Sequence, residues 1–214
     1  MVFGTVIHLA IADLFRTGED PVEHFRRDWE TLKGTQLRYK NRESWDDFHT
    51  KGGKLVQKFL TEEAPKIRET LGVERKFELR MTLLDIPFIG SIDLTAVVNE
   101  RKTVVDFKTA GSDYEDHEAE LSDQLTAYAL AEPEGQQVAL CVLVKTKEPR
   151  IEWHFAKRNS SHMAEYLAKV RLVSGDIAAG KCYKGPGKHC GHCDFLPVCL
   201  GDQKKAKETL VRIT

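Results

Sequence analysis

The chain has 214 residues and carries 32 basic against 33 acidic residues, a formal net charge of −1. Hydrophobic residues make up 41%, enough for a real core, and no run of about 18 apolar residues is present to span a membrane. The opening MVFGTVIHLAIADLF lacks the charged start of a secretory signal and contains His8 and Asp13, so a soluble cytoplasmic protein is expected.

Residues 2–16 place Phe3, Ile7, Ala10 or Ile11, and Leu14 on one face at helical spacing. Residues 21–33 and 43–71 continue as polar-rich amphipathic helices, with Pro65 a possible break in the second. Residues 73–84 then alternate as a half-buried strand does, and 88–98 form a second strand. The polar stretch 99–102 predicts a hairpin turn and 103–109 a third strand. A helix is expected near 117–131, ending before Pro133, then strands at 137–146 and 150–156. A helix near 160–179 leads into a cysteine-rich segment, and a short helix near 201–211 closes the chain. The pattern predicts an α/β fold: a mixed central β-sheet flanked by helices, as residues 1–180, with 181–214 a cysteine-rich appendage packed on that core.

Charge is distributed unevenly. Residues 112–123 hold six acids and no Lys or Arg, a solvated loop and helix start, whereas 181–214 lean basic. The near-neutral total does not announce a nucleic-acid binder, but a local basic groove around an acidic site would suffice for one.

The third strand carries the most chemistry. Asp106 and Lys108 share one face of it, while Val105 and Phe107 face the other way. A hairpin near 99–102 would bring Asp93 of the preceding strand beside Asp106, and Gly90 would leave room there for a substrate backbone. Two carboxylates so placed raise one another's pKa unless a cation intervenes. A hard divalent ion such as Mg²⁺ or Mn²⁺ would resolve the repulsion, with the lysine orienting water or stabilising phosphate charge. Taken alone, an Asp-x-Lys pair on a strand is more often an ordinary charged face, and a lone His8 on an apolar helix more often structural.

The order of motifs narrows this. Gly4-Thr5-x-x-His8, Gly90-x-x-Asp93, Val104-Val105-Asp106-Phe107-Lys108-Thr109 and Gln124-x-x-x-Tyr128 together resemble the RecB-like branch of the PD-(D/E)xK nucleases. The trailing Cys190-x-x-Cys193-x5-Cys199 resembles its iron–sulfur members, including CRISPR-associated exonucleases and AddB-type nuclease domains. The resemblance implies a restriction-endonuclease-like core. It implies a metal held by His8, Asp93, Asp106 and the Phe107 carbonyl, and Lys108 positioning the attacking water. Gln124 and Tyr128 would touch DNA or support Lys108, and Glu74 matches a loosely kept acidic position.

The cysteines at 182, 190, 193 and 199 fall within eighteen residues, and such spacing in a reducing compartment points to a metal or cluster rather than disulfides. Four thiolates suit either zinc or a [4Fe–4S] cluster, and His189 and His192 suit zinc. The resemblance favours iron–sulfur. Its members, however, usually carry one cysteine upstream of the Gly-x-x-x-His element, which this sequence lacks. Either Cys182 is the fourth ligand or the chain is an N-terminally shortened form. Cys141, in the apolar run 139–144, reads as core.

The function implied is metal-dependent hydrolysis of DNA, as an exonuclease acting on single strands or duplex ends in recombination, repair, or phage or CRISPR-related processing. No GxxxxGK[ST] motif is present, so a helicase or recombination partner would be another chain. The alternatives are a non-catalytic DNA-binding or scaffolding module and a zinc-stapled RNA-processing protein.

Overall fold

A computed structural model describes residues 2–35, 37, 39, 43–80, 87–181 and 183–210, with the side chains of 188 and 192 left aside. The chain divides into two compact units, Met1–Lys169 and Val170–Thr214.

The first unit is built on a five-stranded sheet of order β1-β2-β3-β4-β5: β1 (Ile67–Leu79), β2 (Phe88–Val98), β3 (Arg101–Ala110), β4 (Gln137–Val144) and β5 (Arg150–Ala156). All pairs are antiparallel except β3 with β4. That parallel pair needs a crossover, supplied by α4 (Asp116–Glu120) and α5 (Asp123–Ala131). Every residue of β4 is buried, as expected of a central strand covered on both faces. The mixed sheet flanked by helices is the architecture the sequence predicts.

One face is covered by α1 (Val2–Thr17), α2 (Pro21–Thr31) and α3 (Trp45–Lys58). Phe3, Ile7, Ile11, Phe25, Trp29, Leu55 and Phe59 pack there against Leu94, Ala96, Val105, Phe107, Cys141 and Leu143. The other face buries Val104, Leu140, Val142, Leu125 and Tyr128 beneath α4 and α5. The alternation along β3 therefore sends Val105 and Phe107 to the first core and leaves Asp106 and Lys108 on the α5 side.

Several elements depart from the sequence expectation. The helix read over 43–71 ends at Lys58, passes through a wide turn at Phe59–Glu63 and a tight one at Ala64–Lys66, and becomes β1 at Ile67. Long-range pairing of Ile67 with Val98 outweighs the helical character of the local sequence. The hairpin is tighter than expected: Asn99 and Glu100 alone turn the chain, with φ of 50° and 62°, and β3 starts at Arg101. The helix expected over 117–131 breaks at Leu121–Ser122 into α4 and α5, Ser122 capping Leu125 N–H at 3.2 Å. The second half of the expected strand 73–84 lies partly outside the described residues.

The second unit takes the remainder of α6 (Ser160–Ala178), a 3₁₀ turn at Lys188–His192, α7 (Leu196–Leu200) and α8 (Gln203–Thr209). Cys190, Cys193 and Cys199 are half-buried free thiols in it, and Cys182 lies outside the described residues. Cys141, fully buried in the first core, is the structural residue the sequence predicts, its thiol pushed up by burial.

Candidate active site

The site forms where β2 and β3 part. Their pairing is regular from Val98–Arg101 to Leu94–Val105, and the next residues on each strand are Asp93 and Asp106. At the same level the sheet turns over. Val73 and Leu94 belong to the first core, yet Phe77 and Ile92 belong to the second, although each pair is an even number of residues apart. Glu74, which lies between Val73 and Arg75 on β1, takes φ of +46°, a conformation that costs a non-glycine residue about 1–3 kcal/mol. Asp93 thus stands at the reversal and at the fork. Freed from a β2 partner, the Phe107 N–H donates to Asp93 Oδ2 at 2.8 Å.

Helix α1 delivers His8 to the same place, its Nδ1 3.7 Å from Asp93 Oδ2. Gly4 makes this approach possible: a Cβ there would lie 2.7 Å from Thr109 Oγ1 at the end of β3. The Gly-x-x-x-His spacing is one helical turn from that contact to the imidazole. Gly90 acts differently from the expectation. The space beside it is filled by the Phe77 ring, which a Cβ would meet at 2.5 Å, so it does not lie open to a substrate. Phe77 in turn packs edge-on against Tyr128, centroids 6.1 Å apart.

On the α5 side four groups close a ring. Lys108 Nζ donates to Gln124 Oε1 at 2.8 Å, Gln124 Nε2 donates to the Tyr128 hydroxyl at 2.7 Å, and that hydroxyl donates to Asp106 Oδ1 at 3.4 Å. Lys108 Nζ completes it at 2.7 Å from Asp106 Oδ2, outside hydrogen-bonding geometry, so this buried oxygen has an ionic neighbour but no hydrogen-bond donor among the described residues. Gln124 and Tyr128, one turn apart on α5, therefore contact the lysine and aspartate through their side chains.

The electrostatics are those of a dry acidic site. Burial, then Asp106, pushes Asp93 up to about 7, against the opposing Phe107 N–H bond. Burial also raises Asp106, with Lys108 offsetting part of the effect. His8 is lowered to about 4 by burial and then by Lys108, which leaves the imidazole neutral with a lone pair free to ligate. Tyr128 is raised by burial and by Asp106, so its hydroxyl keeps its proton. A buried carboxylate, Asp106, a partly buried one, Asp93, and a neutral imidazole are the donor set a hard divalent cation takes. The three donors do not all lie within 4.8 Å of one another; among the described residues a different trio does.

Sequence reasoning missed the residue that holds α5 in place. Arg158, just after β5, donates through Nε to Thr126 Oγ1 at 2.7 Å. Its NH2 group donates to the carbonyls of Ala119 at 2.8 Å and Ser122 at 3.1 Å. It clamps the α4–α5 break, and nothing in its local sequence signals that. Glu74, at the loosely kept acidic position, accepts from Ser91 Oγ at 3.4 Å, and its charge helps raise Asp93.

The PD-(D/E)XK nuclease superfamily matches residues 1–200, and the chain belongs to that superfamily. Members of it generally use Mg²⁺ or Mn²⁺. No curated protein matches the chain significantly. Among solved structures, one from Eubacterium rectale described as a "Putative exonuclease" is similar over 99% of this chain and 76% of its own, with 11% identity and a TM-score of 0.55. The structure of SSO0001 covers 98% of this chain and 85% of its own, at 12% identity and a TM-score of 0.46. At such identities the first likeness speaks to the fold alone. Among the described residues no helix is long and apolar enough to cross a membrane.

Proposed function

We propose that the chain is a Mg²⁺- or Mn²⁺-dependent deoxyribonuclease of the RecB-like branch, acting as an exonuclease on single strands or duplex ends. The observation that carries this reading is the Asp106–Lys108–Gln124–Tyr128 ring beside Asp93 and His8. An ordinary charged strand face has no reason to bury Asp106, to draw Asp93 largely out of solvent and to fix its lysine through an amide that a phenol holds in turn.

His8, Asp93, Asp106 and the Phe107 carbonyl would hold the cation, which supplies positive charge for the phosphoryl oxygens and acidifies water. The chain's own groups do the rest. Asp93 is anchored by the Phe107 N–H, and His8 is kept neutral by its dry surroundings. Lys108, partly exposed and held by Gln124, presents its ammonium to the attacking water or to the charge developing on phosphate. Water adds to phosphorus, the opposite P–O bond breaks, and the departing oxygen takes a proton. No covalent enzyme intermediate is required.

For the second unit we propose a [4Fe–4S] cluster held by Cys182, Cys190, Cys193 and Cys199. Support comes from three free half-buried thiols and from the Gly187 N–H, which donates to Cys190 Sγ at 3.3 Å, as backbone amides do to the sulfurs of such clusters. Protein purified without oxygen should be brown and contain iron and sulfide; one zinc and no iron would assign the thiols to zinc instead.

The catalytic reading is tested with end-labelled linear and covalently closed DNA, single- and double-stranded, with Mg²⁺, Mn²⁺ or EDTA. Metal-dependent loss of linear DNA that Asp106→Ala abolishes supports it, and sparing of closed circles supports end dependence. A gel shift without cleavage would establish a binding module, and preferential cleavage of matched RNA would overturn the DNA assignment.

A further inference from the structure

We infer that a second metal site, built for Zn²⁺, lies at the junction of α1 and α2, formed by Asp13, Glu19 and His24. Asp13 stands in the last turns of α1, Glu19 in the connecting loop, and His24 in the first turn of α2. One ligand atom from each lies within 4.8 Å of the others, which no other trio of His, Cys, Asp or Glu achieves among the described residues.

The independent sign of a ligand is His24. It is only 5% exposed, and its Nδ1 is buried without a hydrogen-bond partner among the described residues. That nitrogen faces Asp13 Oδ2 at 3.3 Å and Glu19 Oε2 at 3.4 Å. An imidazolium held by carboxylates should draw at least one oxygen to about 2.7–2.9 Å. Both contacts are too long and misdirected for that. They do match the separation of about 3.3–3.4 Å between two ligands that each lie about 2.0–2.1 Å from a tetrahedral zinc ion.

The surrounding bonds have the pattern of a ligand set. His24 Nε2 lies 3.0 Å from Asp28 Oδ2; with that nitrogen donating to the carboxylate, Nδ1 would be the one that faces the ion. The other oxygen of each ligating carboxylate is held by an arginine, Asp13 Oδ1 by Arg16 and Glu19 Oε1 by Arg27 at 2.5 Å. The two oxygens that remain are those turned toward His24. Glu19 is half-exposed, so water can complete the tetrahedron. The ion would tie the end of α1 to the start of α2 and keep one coordination position for water.

The test compares chains that share the same cysteines, so that thiol-bound metal cancels. Bound zinc per chain is measured by elemental analysis after dialysis in buffered Zn²⁺. The Asp106→Ala protein, which lacks the catalytic carboxylate, is set against Asp106→Ala/His24→Gln and Asp106→Ala/Glu19→Gln. We expect each double variant to bind one zinc fewer, and Zn²⁺ to raise the melting temperature of the single variant but raise theirs less. The Glu19 variant covers the case in which loss of the buried histidine disturbs folding. Equal zinc in all three overturns the proposal and leaves His24 as an ion-paired histidine.

Discussion

Helix α1 contributes to two imidazole–carboxylate groups of similar composition and opposite electrostatic character. At the sheet, His8 and Asp93 are desolvated, with one lysine to offset two acids, so the acids are raised and the imidazole lowered. At the α1–α2 junction, arginines stand on the outer oxygens, and the Arg27 hydrogen bond lowers Glu19. The same side chains thus make one group that is starved of positive charge and one already largely neutralised. The first suits a cation that must hold substrate, the second an ion that joins two helices.

The largest effects should come from removing the members of the starved group. Asp106→Ala should lower DNA cleavage by about 10³-fold or more with the fold retained, measured as initial rates at saturating Mg²⁺. Cleavage within tenfold of the parent would break the comparison, since Asp106 would then be no more than a buried acid. Gln124→Ala and Tyr128→Phe should each cost about 10–100-fold, because they hold the ammonium and the carboxylate without touching phosphorus. Combined with Lys108→Ala, Gln124→Ala should add little further loss, because both act through one ammonium. Full additivity would place Gln124 on DNA instead.

How far this site was legible depends on the range of the signal. Asp106 and Lys108 share a strand face by simple alternation, and Asp93 follows from a hairpin two residues long, so the core of the site is a local pattern. Gln124 and Tyr128 are linked by one helical turn. Arg158 is not legible, because its acceptors are carbonyls of residues 119 and 122, more than thirty positions away. The helix read through Leu121 fails for the same reason: its break is held from β5. Residues 67–71 mislead because their local pattern is helical, and only pairing with β2 makes them a strand. Gly90 signals a need for space, but the ring that fills that space comes from the neighbouring strand, which no local pattern reveals.

A pH series sharpens the comparison. With Asp93 at about 7, the cation-free protein carries a proton there at and below neutrality, and a cation must displace it. The Mg²⁺ concentration for half-maximal cleavage should rise about tenfold per pH unit below 7 and level off above. His8, at about 4, should add no slope above about pH 5. The stability sign follows from the same shift. The folded state holds a proton that the unfolded state releases near the ordinary value of 3.8, so the Asp93 contribution to cation-free stability falls as pH rises from about 4 to about 7, while His8, lowered from 6.5 to about 4, contributes a rise up to about 6.5 that opposes it. Asp93→Asn, which leaves His8 in place, should gain melting temperature relative to the parent as pH rises through that window and be the more stable protein at pH 8 in EDTA. A difference between variant and parent that stays flat over this window would mean that Asp93 is already well solvated.

The smallest expected effect tests what keeps the site dry. Gly90→Ala drives a methyl group into the Phe77 ring, which must move away from Tyr128, at a stability cost of about 1–3 kcal/mol. Adding Phe77→Leu should relieve the clash and recover part of the melting temperature. It should not recover activity, because Tyr128 then loses the ring against its edge and water gains access to Asp106. A few-fold deficit in cleavage that persists after stability returns is therefore expected, accompanied by a half-maximal pH shifted downward as Asp93 is hydrated. If stability and activity return together, Phe77 serves packing alone and the low polarity of the site must come from α1 and α5.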